Sequence, residues 1–273
     1  MDPSGAGRMP AREALKIALG ERHPVMGTFI QIGDPAIVEV LGRAGFDFGI
    51  LDLEHGPLQT NSIAPMVRSA DRTAFPLIVR LPMEKLAFVS QFLDSGCRGI
   101  LAAKVGSVAD AEQVVRAVRY PPLGDRGACL GTHANDYGWL DWADHVALAD
   151  RSTVVGIALE GPRAIADADA ILSVPGLDFV FVGIFDLAAS LGIRPGLDLP
   201  EIQEAVRTIA QKAARHGVAA GAWAPTTLMA QRWLELGVTF LPISLDVLMW
   251  RSLCISTVED WRARVESVGA AGA

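Results

Sequence analysis

The residues with the greatest capacity for chemistry stand at the ends of short apolar runs. The run 46–53 carries Asp52 and leads into Glu54-His55-Gly56-Pro57, and the run 77–81 carries Arg80 next to its end. The run 154–159 leads into Glu160, and the run 179–183 leads into Ile184-Phe185-Asp186. Glu160 and Asp186 offer hard oxygen donors, suited to a Mg2+- or Mn2+-like ion that keeps open positions for water and substrate. Such an ion chelates a 2-oxoacid through its keto and carboxylate oxygens and acts as a Lewis acid. Arg80 is the group to stabilise charge developing on an enolate oxygen. Histidine, whose ordinary pKa is near ~6.5, suits proton exchange at neutral pH, which makes His55 the acid–base candidate, and Asp52 is placed to orient it. Each residue also has a structural reading: Asp52 with His55 as a loop brace, Glu160 and Asp186 as N-caps of following helices. Their joint placement at the ends of several runs favours a site.

These runs need a scaffold that brings their ends to one face. Eight candidate strands span residues 27–32, 46–53, 77–81, 99–105, 154–159, 179–183, 219–223 and 240–245. Most are continuously apolar, as strands covered on both faces should be. Between them lie helical patterns such as 36–44, 108–118, 202–216 and 226–236, and Gly45, Gly96, Gly217 and Gly237 sit at plausible C-caps. This alternation predicts an α/β fold, a (β/α)8 TIM barrel, whose active sites lie at the C-terminal strand ends. The alternative is an open doubly wound sheet, but no GxGxxG follows the first strand. Residues 120–143 break the rhythm with two prolines, four glycines and several aromatics. A long irregular connection of this kind is often functional; it either returns over the barrel mouth or packs a partner subunit.

Composition narrows the function classes. The chain has 273 residues, is 51% hydrophobic and carries a formal net charge of −7. That suits one large core and argues against nucleic-acid binding, which needs a basic face. No apolar stretch approaches the roughly 20 residues of a membrane span. Cys97, Cys129 and Cys254 are scattered, with no CxxC or Cys/His cluster, so neither a disulfide framework nor a zinc–thiolate site is indicated. A reducing cytoplasm is the natural setting. Residues 1–10 read as a disordered leader and residues 11–273 as a single barrel domain.

The run AGFDFGILDLEHGP, covering residues 44–57, resembles the signature of the HpcH/HpaI aldolase family, an AGFD segment followed by D-x-EH-x-P. VRLP around Arg80, FLDSG around Asp94, RYPPLGDRG from Arg119 to Gly127, ALE at Glu160 and DFVFVGIFDLAASLG around Asp186 are similar to the family pattern as well. The resemblance runs from about Gly27 to Leu253. It implies a class II, metal-dependent aldolase on a phosphoenolpyruvate-type barrel. Members interconvert a 4-hydroxy-2-oxoacid with pyruvate and an aldehyde, using Mg2+, Mn2+ or Co2+. By position Glu160 and Asp186 match the metal ligands, Arg80 the contact to the pyruvyl oxygen, and His55 with Asp52 the acid–base dyad. Asp94 matches a carboxylate that supports the dyad. Gly183, with Ile184 and Phe185 after it, matches a turn whose backbone N–H groups hold the pyruvate carboxylate. The family also implies a last helix exchanged between subunits, in dimers or trimers of dimers.

Departures from the pattern fall around the expected pocket. Ala158 stands where a Gln is usual, two residues before the metal Glu. Phe185 and Trp223 bring bulk where smaller residues are usual, which predicts a narrower and more apolar acceptor site; both are alternatively core filling. His133 replaces a loop Arg, which weakens any claim that the acceptor carries a second carboxylate, and Arg126 in the same loop is the first substitute cation. Two other functions fit the same residues. Oxaloacetate decarboxylation or citrate-lyase-like cleavage of an acyl thioester uses the same chemistry, although a thioester enzyme should show a basic surface. A non-catalytic scaffold barrel would have no use for Asp52, His55, Arg80, Glu160 and Asp186 together.

Overall fold

Eight parallel strands close on themselves in sequence order: β1 (Val25–Ile30), β2 (Phe48–Asp52), β3 (Leu77–Pro82), β4 (Gly99–Ala103), β5 (Val154–Leu159), β6 (Phe179–Val182), β7 (Ala219–Ala222) and β8 (Phe240–Leu245). β1 pairs with both β2 and β8, so the sheet has no free edge and the open-sheet alternative is excluded. The computed structural model describes residues 12–194 and 196–271. The expected leader therefore lies outside the described residues. The strands follow the apolar runs because each must be covered twice, by the barrel interior and by a helix.

Two apolar layers result. Val38, Ile63, Val114, Ile171, Val206 and Trp233 lie in the outer layer, between strands and helices. Phe29, Phe48, Ile50, Phe179, Phe181 and Phe240 belong to the inner one, with Leu15 and Leu19 of the helix Ala14–Gly20 packed against it. The Phe48 and Phe179 rings stack on Phe240 with centroids 4.1 and 4.3 Å apart. A Cβ at Gly27 or Gly156 would strike the Phe48 or Phe179 ring, so glycine there makes room for the aromatic filling. The expected cap glycines Gly45, Gly96, Gly217 and Gly237 all have positive φ, as left-handed C-caps require.

Residues 120–143 do not return over the mouth. The segment follows the helix Val108–Val118 and precedes the helix Trp142–Ser152 and then β5, so it begins and ends at the N-terminal side of the barrel. Its side chains stay there. His133 meets Asp71 at 2.7 Å, at the end of the helix preceding β3, and Asp136 pairs with Arg12 at 2.8 Å.

Candidate active site

The C-terminal ends of β1, β2, β3, β5 and β6 surround a cleft of about 360 Å³, in which Gln31, His55, Arg80, Glu160 and Asp186 face one another. Register explains the convergence: Asp52 on β2 lies beside Arg80 on β3, so the two side chains point into the same layer. Asp52 is fully buried and receives Arg80 through two bonds, Nε to Oδ1 at 2.9 Å and Nη2 to Oδ2 at 2.7 Å. Gln31 donates to Oδ2 at 3.0 Å, and the main-chain N–H groups of Glu54 and His55 donate to Oδ1. Burial alone would raise the Asp52 carboxyl, but the Arg80 and Gln31 hydrogen bonds hold it below its ordinary range. Arg80 also lies over the Phe29 ring, 4.5 Å from its centroid.

This corrects one expected contact. Asp52 does not orient the His55 imidazole; it fixes the His55 main chain, and its oxygens are already engaged. The ring is half-exposed at the cleft, and Glu54 Oε2 lies 3.8 Å from its Nε2. Glu54 and Gln31 belong to the site yet are absent from the residues that sequence spacing singles out. Glu54 stands inside the D-x-E-H motif itself, and Gln31 is the polar residue that follows the apolar run of β1.

Carboxylates crowd the cleft without enough hydrogen bonds. Both oxygens of Glu54 and Oε2 of Glu160 are buried with no partner among the described residues. The Glu160 carboxyl is pushed up to about 7, by burial first and then by Glu54 and Asp186. Arg80 Nε and Lys104 Nζ, each 3.6 Å from a Glu54 oxygen, only partly offset this charge. Unpartnered buried carboxylates are costly unless a cation joins them. The donor set is oxygen-only and fits a hard divalent ion. Among the described residues no group of three or more His, Cys, Asp or Glu is arranged to enclose a metal, so Glu160 and Asp186 would leave positions for water and substrate. A Cβ at Gly183 would overlap the Glu160 side chain, so glycine is needed for this approach.

Gly183, Ile184, Phe185 and Trp223 also line the cleft, and the Phe185 and Trp223 rings lie 5.4 Å apart. The Trp223 indole N–H donates to the Ser244 carbonyl, which fixes the ring. Four expected site residues lie elsewhere. Ala158 is buried in the inner core layer beneath the cleft, because its position on β5 points inward one layer too low. Asp94 ends the helix Val89–Asp94, which runs back from β3 to the N-terminal side, and there it accepts from Arg126 at 2.7 Å. Arg126 is buried and lies over the Tyr120 ring, 4.5 Å from its centroid. With His133 on Asp71, these three residues occupy the end of their own barrel opposite the cleft.

Comparison with known proteins places this geometry. The family model described as HpcH/HpaI aldolase/citrate lyase matches residues 25–251. A 5-keto-4-deoxy-D-glucarate aldolase from Shigella boydii is 34% identical over 237 residues, which is 87% of this chain and 91% of that one. The crystal structure of an HpcH/HpaI aldolase from Desulfitobacterium hafniense DCB-2 superposes with a TM-score of 0.86 at 30% identity, covering 91% of this chain and 96% of that one. A citrate lyase β subunit from M. tuberculosis, solved with oxaloacetate and magnesium, has a TM-score of 0.53 at 18% identity over 83% of this chain and 93% of that one, and shares the fold alone.

Proposed function

The chain belongs to the HpcH/HpaI aldolase/citrate lyase family, and we propose that its cleft cleaves a 4-hydroxy-2-oxoacid to pyruvate and an aldehyde and runs the reverse addition. It is an aldolase-type carbon–carbon lyase of a divalent-metal-dependent group. The observation that carries the reading is the convergence of unpartnered buried carboxylates with Arg80 and His55 in one cleft.

Glu160 and Asp186 would hold the ion, Mg2+, Mn2+ or Co2+, which when bound supplies Lewis acidity toward the 2-oxoacid. Asp52 occupies Nε and Nη2 of Arg80 and leaves Nη1 for the keto oxygen, where negative charge develops. The Gly183 turn lies on the same wall, where backbone N–H groups would take the carboxylate. His55 accepts the proton of the 4-hydroxyl during cleavage and returns it to the aldehyde oxygen during addition. Phe185 and Trp223 give the cleft an apolar wall.

The likeness to the citrate lyase β subunit from M. tuberculosis is one of fold alone, and no observation favours a thioester or decarboxylation reaction over the aldol one. The C-terminal helix Asp246–Ala271 meets its own barrel near its start, and Val247, Leu248, Trp250, Leu253, Val258, Trp261 and Val265 on it are exposed. We propose that a second copy covers this face, in a homo-oligomer. No helix among the described residues is long and apolar enough to cross a membrane. The test of the reaction is pyruvate release from a 4-hydroxy-2-oxoacid, coupled to lactate dehydrogenase, with and without added Mg2+ or Mn2+. Metal-dependent release is expected; a rate no higher than the uncatalysed one with every metal, across acids of varied chain length, would overturn the reading.

A further inference from the structure

Glu160 and Asp186 line two spaces. One is the cleft already described; the other is a groove of about 560 Å³ that continues outward between the ends of β4 and β5. We propose that this groove, walled by Lys104 and Arg163, is the subsite that receives the anionic or oxygen-rich end of the acceptor aldehyde. The inference rests on the aldolase reading and adds to it residues and a substrate class.

The two spaces differ in chemistry. Beyond its catalytic groups the cleft is bounded by Phe185, Trp223, Leu245 and Leu248, which offer an acceptor no cation. The groove contains two cations and, besides the shared pair, one carboxylate, Asp110. Asp110 is engaged, since Oδ2 accepts from the Gly106 N–H at 3.0 Å. The Glu160 and Asp186 charges face a bound ion when the site is loaded. What remains to meet a ligand in the groove is Lys104, with Glu54 3.6 Å behind it, and Arg163.

Lys104 is held for this purpose. It follows β4 with φ 60°, in the left-handed region that residues with a Cβ avoid. The next residue ties it down: the Val105 N–H donates to the Ala158 carbonyl across on β5 at 3.1 Å. Strain of this kind persists only where the surroundings enforce it, and it clusters at ligand-handling positions. The Lys104 side chain is 59% exposed, and its ammonium has no hydrogen bond among the described residues and stands 3.6 Å from Glu54. Its donors are therefore available to a carboxylate or a hydroxyl. Arg163 is 90% exposed, with its nearest carboxylate, Asp167, 3.8 Å away. It can close over the distal end of a bound acceptor with a bidentate fork. An acceptor whose aldehyde carbon meets pyruvate beside the shared carboxylates would extend its other end between these two cations. The replacement of a loop Arg by His133 does not weaken the case for an acceptor that carries a carboxylate, since His133 lies at the far end of its own barrel.

The experiment compares kcat/KM for succinic semialdehyde and for butanal, two acceptors of equal length, each with pyruvate and Mn2+. The readout is the ratio of the two constants in wild type, Lys104→Met, Lys104→Arg and Arg163→Ala. Lys104→Met is expected to lower the ratio about tenfold or more, the scale of one charge-assisted hydrogen bond. Lys104→Arg should restore most of it, and Arg163→Ala should lower it by a smaller factor. Exchange of the pyruvate methyl protons in D2O, measured on wild type, separates two kinds of failure. Exchange with a ratio unchanged in Lys104→Met and Arg163→Ala overturns the subsite and leaves the aldolase reading standing. Absence of exchange in wild type overturns both.

Discussion

The guanidinium of Arg80 grips both carboxylate oxygens of Asp52, with Nε 2.9 Å from Oδ1 and Nη2 2.7 Å from Oδ2. Asp52 is in turn held by Gln31, whose backbone N–H donates to Asp246, a buried carboxylate that also accepts from the Ile32 and Val247 N–H groups. Arg80 is thus aimed by a chain of contacts that begins where β8 meets the C-terminal helix.

Asp52→Asn is expected to free Arg80 and leave a mostly buried cation without its partner. The cost to stability is about 3 kcal/mol or more, as for other broken buried pairs, and the loss of kcat is on the order of a hundredfold. The folded carboxyl lies below its ordinary 3.8, so its contribution is present above that pH and disappears as pH falls through the lowered value. Urea unfolding of both proteins should therefore show a gap at pH 7 that closes progressively below about pH 4. Equal stabilities at neutral pH would refute the clamp.

A second pH effect sits at the other end of the barrel. His145 is buried with its Nε2 2.9 Å from the Tyr120 hydroxyl, and burial, then Arg126, lower its pKa. The folded protein resists protonating this ring, whereas the unfolded chain takes a proton below about 6.5. Stability is fully present above that pH and falls as pH drops below it. Thermal unfolding of wild type should show this decline, and His145→Gln should remove that part of it. An identical slope in the variant would exclude His145 as its source.

Much of this was legible in the sequence, and for a definite reason. The apolar runs predict each strand to within two residues at either end, because a barrel strand is covered on both faces and few polar residues interrupt it. Polar residues at the run ends find Asp52, His55, Arg80, Glu160 and Asp186, since the barrel puts those ends in one plane. Ala158 lies beneath the cleft, because alternation gives a side but not a depth. Asp94, Arg126 and His133 lie at the opposite end of their own barrel, because a family match fixes chain position, not which end of one barrel a helix terminus reaches. Gln31, Lys104 and Asp246 act through hydrogen bonds and a strained φ that carry no periodic signal.

Gly183→Ala tests the packing behind the carboxylate pair. The added methyl would displace Glu160, so Mn2+ affinity measured by calorimetry should fall about tenfold or more, the scale of a misplaced ligand. Unchanged affinity would show that Glu160 does not need its observed position to hold an ion.

The exposed apolar face of Asp246–Ala271 predicts assembly. Light scattering at micromolar concentration should give a dimer or larger, and Trp250→Glu combined with Trp261→Glu should shift it toward smaller species. An active monomeric wild type would contradict the prediction.

The most direct measurement is exchange of the pyruvate methyl protons into D2O, followed by NMR, because it reports the enolisation half-reaction without the true acceptor. Wild type should exchange with Mg2+ or Mn2+ present and stop on addition of a chelator, and Glu160→Gln should not exchange under either condition while remaining folded. Exchange that persists in the chelator, or in Glu160→Gln with metal at wild-type rate, would contradict the account.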